Sequence, residues 1–167
     1  GLFVTRNDII KNTPLQGAVD ADRLLPFIRT AQEKYILNLL GTVLYNKLQD
    51  DIESQTAFSG YYLTLMDEYI KPTLIWYACV EFIPFSATQF KSEGAVKYKS
   101  EQSEAVGKSE IDYLAQKAQD NADYYATRMQ DWLIANNINV PEFLETTGDS
   151  TMVYPDQSNQ YFSGLNL

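Results

Sequence analysis

The stretch "SEIDYLAQKAQDNADYYATRMQDWLIAN", Ser109–Asn136, decides the fold. Its apolar residues Ile111, Leu114, Ala118, Ala122, Tyr125, Met129 and Trp132 recur in steps of 3, 4, 4, 3, 4 and 3. That spacing lines one face of an α-helix, whereas a strand would alternate at every second residue. Ser109 with Asp112 reads as the capping start, and "NNINVP" ends the helix. From Glu110 to Asn136 it would reach about 40 Å. The opposite face carries Asp112, Gln116, Asp120, Asp123, Thr127 and Asp131, which reads as a solvated surface.

The same period recurs upstream. Thr5 with Asp8 resembles a capping box for a short first helix that "NTP" ends. In "VDADRLLPFIRTAQEKYILNLLG", Asp22 can cap and Pro26 lies early enough to be tolerated. Leu24, Ile28, Ala31, Tyr35 and Leu39 share a face there, widened by Leu25, Ile36 and Leu40. Gly41 closes that helix, and Thr42 starts another running to about Ser54 with Val43, Leu44, Leu48 and Ile52 inward. The tight join predicts an αα corner. From Tyr61 to about Pro84 the pattern is helical again, with Pro72 expected to kink or split it. Leu74–Ile83 is apolar on nearly every side and reads as the central buried helix, Glu81 excepted. Glu81 is either a proton-carrying or metal-binding carboxylate or a helix-edge, tyrosine-bonded one. No second carboxylate or base is spaced to help it, which favours the latter.

Between the two most regular helices lies "FKSEGAVKYKSEQSEAVGKSE", Phe90–Glu110, rich in Lys and Glu. "TQFK" and "VKYK" alternate, so Phe90, Val96 and Tyr98, with Lys97 beside them, are expected on a projecting β-hairpin. An isolated ribbon is marginal in water and needs its own bundle or another subunit to lean on. The stretch from Pro141 to Leu167 has four carboxylates, no Lys or Arg, and no helical or strand period. Its aromatics, including Phe143, Tyr154, Tyr161 and Phe162, suit either an arm that docks on a neighbour or packing on its own domain. The fold class is therefore all-α: a bundle of about four to five helices with a projecting loop or β-hairpin and an extended C-terminal tail. The organisation expected is a helical domain over 1–140, with an inserted arm at 88–108, and a tail over 141–167.

Composition narrows the function. The chain has 167 residues, 45% hydrophobic and 21% charged, which suits one globular domain. A net charge of −9 opposes general nucleic-acid binding but fits a surface past which DNA slides. There is no histidine, which removes Ser-His-Asp and Cys-His catalysis, HExxH zinc sites and Glu-x-x-His di-iron sites. The lone Cys79 sits in an apolar helical run and reads as an inert core thiol. No secretory signal is visible, and "PTLIWYACVEFIPF" is too short to span a bilayer, so a soluble protein is expected. "SEAVGKSE" contains GKS without the upstream glycine of a phosphate loop, and Asp50-Asp51 and Asp67-Glu68 are adjacent helical carboxylates that diverge. No catalytic, cofactor-binding or metal-ligating residue is assigned.

A capped short helix followed by "IRTAQEKYILNLLG" and "VLYNKL" resembles the tailed-phage head–tail connector, or portal adaptor, proteins. The matching positions are Ile28, Ala31, Gln32, Tyr35, Ile36, Leu40, Gly41, Leu44 and Leu48. "IKPTLIWYACVEFIPF", "SEQSEA" and "DNADYYATRMQDWL" are similar to the version encoded by phages and prophages of Bacteroidetes, so the resemblance runs over most of Thr5–Leu133. The charged 90–110 segment and the acidic, aromatic tail depart from a minimal connector. The resemblance implies a small helical subunit without enzymatic activity or cofactor. Such subunits form a dodecameric ring below the portal, and a monomer in isolation is compatible with that. Its partners would be further copies, the portal protein and a tail or stopper protein, with DNA only as passing cargo and no membrane. It would reside in the virion neck after assembly in the bacterial cytoplasm. The candidate interface residues are Phe90, Val96, Lys97, Tyr98, Tyr154, Tyr161 and Phe162. The alternative is a host-encoded helical protein-interaction module with no catalytic activity.

Overall fold

A computed structural model describes the backbone of residues 1–12, 20–94, 101–145 and 151–156, and side chains within those ranges outside 87–106. The described residues are helical throughout their core. Helix α1 spans Arg6–Asn12, α2 Ala21–Ala31, α3 Leu37–Leu40, α4 Thr42–Glu53, α5 Gly60–Thr64, α6 Lys71–Gly94 and α7 Glu101–Ala135. A π-helical turn at Gln32–Ile36 joins α2 to α3, and a second at Leu65–Ile70 joins α5 to α6. The elements thus run as five rods, α1, α2–α3, α4, α5–α6 and α7, an all-α bundle.

Local chemistry explains the ends. The capping box at α1 is reciprocal: Thr5 N–H donates to Asp8 Oδ2 at 2.8 Å, and Asp8 N–H donates to Thr5 Oγ1 at 3.1 Å. The cap of α2 is Asp20, not the expected Asp22; its carboxylate accepts from Asp22 N–H. Asp22 instead faces Arg6, with Nε to Oδ1 at 3.2 Å. The buried positions Leu24, Ile28, Ala31, Ile36 and Leu40 step by 4, 3, 5 and 4. The step of five falls on the first π turn, which holds more residues per turn than an α-helix and so carries Ile36 back to the core face. Pro72, expected to kink or split this helix, does not interrupt it: α5, the π turn and α6 run on without a gap. It has no N–H for the preceding turn, and the helix changes register just before it, from π turn to α6 at Lys71.

The core is one apolar mass drawn from all the rods, with Leu24, Ile28, Ile36, Leu44, Leu48, Leu74, Met129 and Leu133 sealed from solvent. α6 lies at its centre, packed along α7 and against α2. A second, smaller cluster of Cys79, Ile83 and Ala118, flanked by Ile111 and Ala115, continues the α6–α7 contact beyond it.

Two sequence expectations are corrected along this pair. α6 does not stop at Pro84 but runs to Gly94, so the backbone at "TQFK", Phe90 included, is helical rather than a strand. α7 starts at Glu101, eight residues before Ser109. Pro84 removes a single backbone donor, and the helix continues through it to Gly94. Of the arm expected at 88–108, residues 88–94 and 101–108 therefore belong to the two long helices. Val96, Lys97 and Tyr98 lie outside the described residues. The seam of α7 is buried at Ala118, Ala122 and Met129, but Leu114 is 45% exposed, because it lies where only α6 remains to cover it.

Candidate functional site

The αα corner at Gly41 is the most completely built surface feature. Gly41 has φ +79° and ψ 159°, a combination essentially reserved for glycine. Its N–H still closes α3 on Leu37 O at 2.9 Å, after which the chain turns into α4. In an uninterrupted helix, Thr42 N–H would donate to Asn38 C=O four residues back. The turn separates them. The C-terminal segment 151–156 inserts there and satisfies both: Thr42 N–H donates to Val153 O at 2.8 Å, and Asp156 N–H donates to Asn38 O at 2.7 Å. Val153 N–H donates to Thr42 Oγ1 at 2.8 Å, and the buried Gln130 amide of α7 donates to Asp156 O. Pro155 rests directly on Gly41, where a Cβ would come within 2.7 Å of its Cδ.

The start of the C-terminal stretch is anchored as well. Phe143 is fully buried, in a 3₁₀ turn at Pro141–Phe143. Glu142 accepts from Tyr62 Oη at 2.7 Å. Burial, and then this carboxylate, push the Tyr62 phenol up to about 12. Of the two readings of the tail, packing on its own domain therefore holds for 141–145 and 151–156. These residues pack on the bundle. Tyr154 is half exposed on the docked segment, and Tyr161 and Phe162 lie outside the described residues.

On the face formed by α6, α7 and the first π turn, two phenols stack. Tyr35 and Tyr77 lie 4.1 Å apart at 8°. Tyr35 Oη donates to Glu81 Oε1 at 2.6 Å, and Lys34 Nζ reaches the same oxygen at 2.7 Å. Burial pushes the Glu81 carboxyl up, but the Lys34 ammonium and Tyr35 hydroxyl outweigh it and hold it below the ordinary value. This is the tyrosine-bonded reading of Glu81. Tyr77 Oη donates to Asp123 Oδ1 at 2.9 Å, so Asp123 binds a phenol and is not simply part of a solvated face. Burial, then Asp123, push Tyr77 well above a normal phenol.

A cleft of about 350 Å³ opens between α1, α6 and α7, walled by Trp76 and Tyr125. Lys71 Nζ bridges Asp67 at 2.8 Å and Asp8 at 3.4 Å across it. Burial alone would lower Lys71 and raise Asp8. Asp67 and Asp8 outweigh it to raise the ammonium, while Thr5 and Lys71 outweigh it to lower Asp8, so both stay charged and paired. Among the described residues, no group of three Cys, Asp or Glu is placed to hold a metal, and no helix is long and apolar enough to cross a membrane.

The candidate interface residues are not brought to one place. Phe90 lies on the far part of α6, Tyr154 at the corner, and Val96, Lys97, Tyr98, Tyr161 and Phe162 outside the described residues. Sequence reasoning missed Phe85 and Tyr113, which are 63% and 65% exposed on the α6–α7 pair. An aromatic placed off the buried seam of an amphipathic helix was the available signal. The αα corner at Gly41 was expected from the tight join, but the docking of 151–156 on it was not, because no local spacing signals it.

The model of a family of unknown function (DUF6712) matches residues 36–150, from the last residue of the first π turn through α7 and up to the docked segment. No curated protein and no solved structure matches the chain.

Proposed function

The chain belongs to DUF6712, a family of unknown function, and we propose that it is a structural subunit of a phage neck, a head–tail connector forming a ring below the portal. The observation that carries this reading is the α6–α7 pair. Beyond Ile83 and Ala118, the last buried residues at that end among those described, α6 continues for about 16 Å and α7 reaches back about 25 Å. This antiparallel pair extends from a bundle whose five rods share one core. It carries exposed Phe85, Tyr113 and Leu114 near its base. Closed rings are built from heterologous contacts, in which a protruding element of one copy fits a recess of the next. A net charge of −9 suits a channel through which DNA passes without binding. The resemblance of "IRTAQEKYILNLLG" and the later helices to adaptor proteins supports the same reading.

The test is negative-stain microscopy of the protein mixed with the portal protein encoded beside it. Rings stacked on the tail-side end of the portal are expected. A portal left bare at equimolar and excess protein overturns the reading in favour of a helical interaction module. Replacing Ser92–Ser103 by a short Gly-Ser turn should preserve helix content and melting while abolishing decoration. Loss of folding in that variant would place the projection in the folding core instead.

A further inference from the structure

We propose that the Gly41 corner is a docking site for an extended peptide segment, and that in assemblies it takes the 151–156 segment of a second copy of this chain. The inference concerns contacts between copies and does not depend on a portal.

The corner is built as a receptor. The helix break leaves a donor, Thr42 N–H, and an acceptor, Asn38 C=O, without each other, and both are filled from outside the rod. The positive-φ glycine opens the floor for Pro155, and Gln130 reaches from α7 to hold Asp156 O. These bonds run to main-chain atoms of the segment, at Val153 N, Val153 O, Asp156 N and Asp156 O. Any copy of the chain presents the same atoms, so the corner accepts the segment of a neighbour with an identical set of bonds. That identity makes exchange a low-cost route to oligomers.

The connection allows it. Five residues, Thr146, Thr147, Gly148, Asp149 and Ser150, lie between Glu145 and Thr151 in the sequence. Fully extended, that connection spans at most about 21 Å, so a neighbouring corner within that distance of Glu145 can be reached. Alone in dilute solution, each chain fills its own corner, because a short linker gives its segment an effective concentration of order mM. Copies held side by side reach comparable concentrations, and then the two modes compete.

The experiment removes the competitor. Deleting 146–150 joins Glu145 directly to Thr151 and cuts the reach of the connection from about 21 Å to about 3.8 Å between Cα atoms. The shortened chain is expected to keep its helical circular dichroism and to shift from monomer to dimer or larger species in light scattering. Gly41→Ala in the same background, or ending the chain at Glu145, should return it to monomer. Single-cysteine versions of the shortened chain, Asn38→Cys and Asp156→Cys in a Cys79→Ala background, should cross-link to each other on mixing, with the 38–156 linkage found by mass spectrometry. Asn38→Cys with Asp131→Cys should not. A shortened chain that folds and stays monomeric up to about mM concentration, or that oligomerises regardless of Gly41→Ala, overturns the proposal. If the shortened chain fails to fold, the cysteine pair on full-length protein at about mM concentration, where the two modes compete, decides. Interchain 38–156 linkage no greater than that of the Asp131→Cys control overturns it there.

Discussion

Gly41→Ala tests whether the corner and its strap form one unit. The alanine would have to hold φ near +79°, ψ near 159°, a strain of about 1–3 kcal/mol for a residue with a Cβ. That Cβ would lie 2.7 Å from Pro155 Cδ, 2.8 Å from its Cγ and 3.0 Å from its backbone N. Because the clash includes backbone, no rotamer relieves it, and the strap must lift. Lifting releases the Thr42–Val153 and Asn38–Asp156 bonds, each worth about 0.5–1.5 kcal/mol net, although water reaches the freed groups. The sum is about 2–6 kcal/mol, or a fall in melting temperature of about 4–24 °C for a chain of this size. Urea unfolding followed by circular dichroism measures the first quantity, and limited proteolysis should show new cleavage near 151–156. Pro155→Ala in the Gly41→Ala background removes the Cδ and Cγ clashes but leaves the 3.0 Å approach to the backbone N and the backbone strain, so it should restore about 1 kcal/mol of coupling. A Gly41→Ala protein within about 0.5 kcal/mol of the parent, with its C-terminal segment still protected, would refute the reasoning.

Further outcomes follow from the buried polar contacts. Glu81 has a lower carboxyl pKa folded than its ordinary 4.5, so its contribution is present above that value and is lost as pH falls below it. Glu81→Gln should flatten the acid limb of a stability–pH curve by lowering stability at pH 8, where the contribution is present, with the two proteins converging as pH falls below 4.5. Gln32 is buried, with its Oε1 accepting from Phe3 N–H at 2.7 Å and its amide donating to Tyr45 Oη at 3.2 Å. Gln32→Leu strands the Phe3 donor and should cost about 1–3 kcal/mol in urea unfolding. Tyr62 should ionise near pH 12 in a 295 nm titration of folded protein. Its stabilising contribution is intact below the ordinary phenol value of 10.0 and is lost as pH rises through about 12. Tyr62→Phe should abolish that late step. Burial pushes the Cys79 thiol up to about 12, so a thiol reagent at pH 8 should label it only at the rate of unfolding.

Much of the helical skeleton was legible because helical burial is periodic. The seam from Ala118 to Trp132, the Thr5–Asp8 capping box and the break at Gly41 are each set by residues within a few positions of one another, and the structure places them as read. The errors fell where a distant contact overrides a local signal. Pro84 and the alternation around Phe90 argued for an end and a hairpin, yet α6 continues through both to Gly94. Asp22 and Asp20 are both competent caps, and the choice turned on which one Arg6 engages. Glu81 was read as a tyrosine-bonded carboxylate, but its partners, Lys34 and Tyr35, lie nearly fifty positions away.

The sequence alone determined that the chain forms amphipathic helices, which residues face inward, and that histidine-dependent chemistry is unavailable, because these properties reside in composition and in local repeats. Only the tertiary structure decided that Asn38, Gly41 and Thr42 receive residues more than a hundred positions later. No local spacing records that meeting: it arises because a break in one helix leaves a donor and an acceptor without each other, and the folded bundle brings another part of the chain within reach of both.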